Sequence, residues 1–232
     1  MSCPLVRFAC AALLGSGMAL WSSTTAQAGL CPRPAEFHPV VHFVADTPGV
    51  VYRRDLPSAA LAELKGGIGS HSGRLHVMGL TTNNFGILTS AEFLRQDLPD
   101  RTVCYWITKF DIHFTAEDMM VHIARELPED SCAYRVTLEH ENQHVALTRQ
   151  ILDQKIPWMR SVLDATLPSN NPLVSRLSHG NEVQALMKRS GDHLLQELQD
   201  AVTRANATLD TPTNYEKTTQ RCNDWGIPPI RE

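Results

Sequence analysis

The chain has 232 residues, 43% hydrophobic and 20% charged, with a formal charge of −4 at neutral pH. That length fits one domain, or one domain with an appendage, and can bury a proper core. The mild acidity excludes the basic footprint expected of a protein that binds nucleic acid or an anionic membrane surface.

Residues 1–28 carry the three parts of a secretory signal peptide. Arg7 is the charged n-region, the apolar run from Phe8 to Trp21 is the h-region, and Ala26-Gln27-Ala28 is an A-x-A cleavage site. Gly15, Ser16 and Gly17 interrupt the run, and a membrane span needs about 20 apolar residues in a row. Cleavage near Ala28 is therefore expected, leaving a secreted or periplasmic domain over 29–232 with no membrane span. Four cysteines remain in it, Cys31, Cys104, Cys132 and Cys222. An even number in an exported chain reads as two disulfides. All three pairings are open. A Cys31–Cys222 bridge that ties down the two chain ends, with Cys104–Cys132 as its companion, is the preferred one. No C-x-x-C occurs, so a thiol-based zinc or redox site is not expected.

The fold class expected is α+β: a sheet-rich part (29–126) of antiparallel strands, a helical half (127–209), and a disulfide-tied tail (210–232). Val40–Val44 and Val50–Tyr52 are short β-rich runs with Asp46-Thr-Pro-Gly49 as the turn between them. Pro57–Lys65 reads as a short helix with a proline start and a stop at Gly66-Gly67, and Arg74–Leu80 as a strand. Cys104–Phe114 alternates apolar and polar residues. One face carries Cys104, Trp106, Phe110, Ile112 and Phe114; the other carries Tyr105, Ile107, Lys109, Asp111 and His113. Thr115–Asp118 should turn this strand into a hairpin with Met119–Arg125, leaving His113 and His122 as ordinary polar residues on sheet faces. From Leu127-Pro128 the pattern turns helical. Asp130 or Ser131 caps a helix to about Gln154, Pro157 breaks it, and a short helix covers Trp158–Thr166. Leu173–Asn206 is helical in pattern, with a bend at Gly180 or Gly191. The tail from Asp210 reads as loop.

The chemistry concentrates in His140-Glu141-Asn142-Gln143-His144. Helix positions four apart lie one turn apart on one face, so two imidazoles can reach one ion. Zinc accepts nitrogen ligands at about 2.0–2.1 Å and imposes little geometry of its own. Glu141 is rotated by about 100° from His140 and can take a proton from water beside the ion without ligating it. Ala133, Val136, His140, His144, Leu147 and Ile151 follow 3/4 spacing, which puts both histidines on the core-facing stripe. Unpaired imidazoles there would be costly. The bland alternative is a pair of core-edge histidines hydrogen-bonded to carboxylates such as Glu139 or Glu126.

Residues 139–145, Glu-His-Glu-Asn-Gln-His-Val, resemble the active-site helix of zincin metallopeptidases. Over residues 100–155 the chain resembles the uncharacterised bacterial families described as predicted secreted zinc-dependent proteases. In those, a hairpin and a Leu-Pro element precede a cysteine-containing run into the motif helix, as Leu127-Pro128 and Cys132 do here. The resemblance implies one zinc ion, His140 and His144 as ligands, and Glu141 as catalytic base. It also implies a substrate lying along a sheet edge beside the helix, which the hairpin at 103–125 would supply. The third ligand departs from familiar spacings. The metzincin continuation falls on Gln150, and the thermolysin-like one on Asp164. Glu182, on the later helix, is favoured, with Asp164, His179, another residue or none as alternatives.

The expected function is hydrolysis of peptide bonds in a peptide or protein, including cell-wall peptide on grounds of location. The alternatives are a non-catalytic zinc-binding or structural envelope protein with a degenerate site, and a metal-free interaction domain. Nothing in the sequence speaks to oligomeric state.

Overall fold

The computed structural model describes residues 31–35, 37–66, 77–169, 171–175 and 181–225. The expected signal segment, residues 74–76 of the expected strand, Gly180, His179 and the side chain of Glu182 lie outside the described residues. In chain order the elements are β1 (Val40–Ala45), β2 (Val50–Arg53), α1 (Ser58–Gly66), β3 (Gly79–Thr82), β4 (Phe85–Asp97), β5 (Val103–Ala116) and β6 (Met119–Ile123). Then follow α2 (Cys132–Ser169), β7 (Leu173–Ser175), α3 (Asn181–Ala207) and α4 (Pro212–Thr219). The α+β division is as expected, with strands first and helices after. None of the described helices is long and apolar enough to cross a membrane.

The strands make two sheets, one ordered β1-β5-β4 with β7 also on β5, the other β2-β6-β3. Both are mixed rather than purely antiparallel, because β1 runs parallel to β5 and β2 parallel to β6. The expected hairpin of β5 with β6 does not form. One edge of β5 pairs with β4 and the other with β1 and β7, so no edge is left for β6, which joins the second sheet. The hairpin is β4–β5, closed by residues 98–102, where the Leu98 and Thr102 backbones pair and Asp100 accepts from the Thr102 amide at 3.1 Å. The long strand β4 carries no clean alternation and was not expected.

β5 also breaks its own alternation. Glu92 pairs with Lys109 and Phe93 with Ile107, leaving Thr108 as one extra residue on β5. One extra residue exchanges the two faces of a strand. Tyr105 and Ile107 therefore share the main core with Phe110, Ile112 and Phe114. Cys104 and Trp106 turn the other way, against Cys31 and Phe37. The single apolar face read from Cys104 to Phe114 is thus two half-faces.

α2 is one continuous helix through Pro157, not two. An interior proline removes a hydrogen bond and costs about 3 kcal/mol. Here Leu152 lies on one side of it and Met159, Leu163 and Leu167 on the other, all buried in the same core. Burial worth roughly 1.5–3 kcal/mol per large apolar side chain outweighs the break. α3 lies antiparallel to α2. Asn206 near its end meets His144 and Thr148, Lys155 faces Glu197 at 3.9 Å, and Leu186 and Met187 line a gap with Leu163 and Leu167. α3 runs unbroken through Gly191. A β-carbon there would stand 3.3 Å from methyl groups of Ile87 and Thr89, so glycine lets α3 settle close onto β4. Leu173–Ser175, expected as helix, is β7. The expected loop after Asp210 contains α4, whose Thr211 cap accepts from the Asn214 amide with Pro212 in the first turn.

Both disulfides form, but the pairing differs from the preferred one: Cys31–Cys104 and Cys132–Cys222, with Cα separations of 6.0 and 5.8 Å. The flipped half-face of β5 presents Cys104 to the N-terminal segment. Cys132, opening α2, is left facing the residues after α4.

Candidate metal centre

Ser131 precedes α2, and its hydroxyl oxygen accepts from the Tyr134 amide at 3.0 Å. Two turns on, His140 and His144 stand one above the other with ring centroids 4.8 Å apart. The buried stripe runs Ala133, Val136, Thr137, Glu141, His144, Val145, Thr148 and Leu152, with His140 at its border. Glu141 is 4% exposed and His144 7%. Both histidines therefore point inward, as the spacing implies.

Their partner is Asp210, in the connection between α3 and α4. His140 Nε2 lies 3.3 Å and His144 Nε2 3.2 Å from Asp210 Oδ1, and the two Nε2 atoms are 3.2 Å apart. Atoms bonded to one zinc at about 2.0–2.1 Å in tetrahedral directions stand about 3.3 Å from each other. The three distances match that triangle, so two imidazoles and one carboxylate fit a zinc ion here; it is the only such cluster among the described residues. The carboxylates of the bland alternative are engaged elsewhere. Glu139 pairs with Arg221 at 2.6 and 3.0 Å, and Glu126 caps the Ser58 amide of α1 at 3.1 Å.

The surroundings orient this triangle. Asn206 donates from Nδ2 to Thr148 Oγ1 at 3.3 Å, so its Oδ1 faces His144 Nδ1 at 2.9 Å and accepts from it. A proton held on Nδ1 leaves Nε2 of a neutral imidazole with its lone pair toward His140 and Asp210, the arrangement a ligand needs. In the metal-free chain the same contacts favour a proton instead. Burial alone would lower the His144 pKa, but the hydrogen bonds to Asp210 and Asn206 and the charges of Glu141 and Asp210 raise it. Burial likewise would raise the Asp210 carboxyl, yet His140, His144, Tyr215 and the Lys65 charge together hold it far below the carboxylate range.

Glu141 meets β3. Its Oε2 accepts from Thr81 Oγ1 at 2.8 Å, and burial pushes its pKa up against the pull of Thr81 and the two histidines. Gly79 makes room for it. A β-carbon at Gly79 would stand 2.4 Å from Glu141 Oε1 and 2.7 Å from Glu141 Cγ and Thr137 Cγ2. The strand that lies beside the motif helix is thus β3, at the edge of the second sheet, and not a hairpin at 103–125. Tyr215 on α4 donates to Asp210 Oδ1 at 2.5 Å, and Lys65 at the end of α1 donates to the Tyr215 oxygen at 3.1 Å.

Two of the expected third ligands, Asp164 and Glu182, stand on helix turns away from this centre. Asp164 is exposed, twenty residues beyond His144 on the same helix and so about 30 Å along it, where it faces Arg160 at 3.8 Å. Glu182 stands in the first turn of α3, about 36 Å along the helix from Asn206, opposite the far end of α2. Asp164 is thus out of reach along α2 itself, and antiparallel packing carries the start of α3 away from the histidines and brings its end to them instead. Gln150 is exposed. His113 pairs with Asp46 at 2.8 Å on the sheet surface, and burial lowers the pKa of His122; neither joins the cluster. Asp210 was missed because no fixed spacing links it to the motif. The only local hint is a carboxylate beside the helix-capping pair Thr211-Pro212. No protein family, curated protein or solved structure matches the chain.

Proposed function

We propose that the chain is a zinc-dependent metallopeptidase of the secreted or periplasmic space, with His140, His144 and Asp210 as metal ligands and Glu141 as general base. The observation that carries this reading is the triangle of His140 Nε2, His144 Nε2 and Asp210 Oδ1, 3.2–3.3 Å on each side, on the helix that also supplies Glu141. When bound, zinc would polarise a carbonyl and lower the pKa of a water toward about 7. Glu141 takes the proton from the attacking water and returns it to the leaving amine nitrogen. Asn206 holds the His144 tautomer, and Thr81 anchors one oxygen of Glu141. Two disulfides fit an oxidising compartment, where peptides, including cell-wall cross-links, are the accessible substrates.

A second reading is a structural zinc site in an envelope protein. The near-complete burial of Glu141 and its bond to Thr81 favour it. Metal content and peptide hydrolysis separate the two. The mature wild type should carry one zinc, lost in His140→Ala and Asp210→Ala. Glu141→Gln should keep the zinc and lose about 10²–10⁴-fold in rate on peptide or murein substrates. A wild type that binds no zinc would overturn both readings, and zinc without hydrolysis of any such substrate leaves the structural one.

A further inference from the structure

The carboxylate that completes the triangle is the member least fixed by its own element. His140 and His144 ride on the inward face of a long helix, whereas Asp210 sits in a short connection and is 33% exposed at its side chain. Its orientation comes from two residues of other elements. Tyr215 donates to Oδ1 at 2.5 Å, and Lys65 Nζ lies 3.1 Å from the Tyr215 oxygen and 3.6 Å from Asp210 Oδ2. The direction of this chain is forced. An ammonium has donors only, so the phenol oxygen accepts from Lys65 and its hydrogen goes to Asp210. A cation donating to the phenol oxygen strengthens the phenol as a donor in turn. The ammonium also stands 5.5 Å from the Tyr215 ring centre, and that ring lies 5.6 Å from the His140 ring. α4 has no buried residue of its own, so this contact, rather than a core, joins Tyr215 to the site.

We propose that Tyr215, oriented by Lys65, is a positioning residue that holds the Asp210 carboxylate in register with His140 and His144 and thereby sets the affinity for the metal ion. The inference rests on the zinc reading given above. Outer-sphere partners of metal ligands typically change metal affinity by about 10–100-fold when removed. Phenylalanine keeps the ring against His140 and Lys65 and removes only the hydroxyl, so Tyr215→Phe isolates the hydrogen bond.

The test uses the full mature chain with both disulfides formed. Zinc affinity is measured by competition with a chromophoric chelator, and the coordination sphere by the visible spectrum of the Co²⁺-loaded protein. Tyr215→Phe should bind one zinc about 10–100-fold more weakly and show a changed Co²⁺ spectrum, in addition to the modest drop in metal-free melting temperature that follows from losing one hydrogen bond. Lys65→Met should shift affinity in the same direction by less, and Lys65→Arg should restore it. A wild type that binds zinc together with a Tyr215→Phe variant of equal affinity and spectrum overturns the positioning role alone. A Tyr215→Phe variant whose only change is a lower metal-free melting temperature overturns it too, since that is a packing role. A wild type with no zinc affinity overturns the underlying metal reading as well.

Discussion

Gly79→Ala tests whether Glu141 is locked between α2 and β3. The backbone at Gly79 is ordinary strand, so alanine adds no conformational strain and the cost lies in contact alone. The new β-carbon would stand 2.4 Å from Glu141 Oε1 and 2.7 Å from Glu141 Cγ and Thr137 Cγ2, against about 3.5–4.0 Å for a relaxed contact. Roughly 1 Å must be found. The Thr81 bond at 2.8 Å and the burial of Glu141 hold its side chain in place against that shift. Overpacking of this kind costs about 1–3 kcal/mol, or about 2–4 °C in Tm per kcal/mol for a domain of this size. Misplacing a catalytic group by 1 Å costs about 10²-fold in rate. Thermal melts, zinc content and peptide hydrolysis read the three consequences: a lower Tm, retained zinc and a slower reaction. A double-mutant cycle isolates the cause. In a Glu141→Ala background two of the three clashes vanish, so Gly79→Ala should cost much less there. An additive cycle, or an unchanged Tm in the single variant, would refute the locked contact.

Breaking Cys132–Cys222 by the paired serine substitutions should lower stability by about 2–5 kcal/mol, read from denaturant midpoints. It should also weaken zinc binding, because the bridge ties the residues after α4 to the start of the motif helix; unchanged zinc affinity would show that the bridge is not needed to place Asp210. The metal-free chain should depend on pH through His144, whose folded pKa is raised. That contribution to stability is fully present below the unfolded value near 6.5 and is lost as pH rises through the folded pKa. Denaturant midpoints in chelator should therefore fall as pH rises from about 6.5 through the raised folded pKa of His144, and His144→Gln should flatten the fall; an equal slope in both proteins would show another group to be responsible.

Much of this molecule is written locally. The strands at 40–45 and 50–53, the helix after Pro57, and the inward face of His140 and His144 follow from periodicity and capping within a dozen residues. So does the motif's pairing of two imidazoles with a carboxylate. Other features depend on partners distant in sequence. The extra residue at Thr108 has no mark of its own, yet it sends Cys104 to Cys31 and decides both disulfides. β5 and β6 look like a hairpin until β4, β1 and β7 take both edges of β5. Pro157 looks like a break until the buried side chains on either side are seen to share one core. Asp210 belongs to the same class. Position 182 suits a ligand by residue type, but α3 packs antiparallel to α2, which carries the start of α3 away from the histidines and its end toward them. A helix face depends on neighbours three and four residues away, and sequence records those. A third ligand depends on which ends of two helices meet, and that is settled by the packing of whole surfaces.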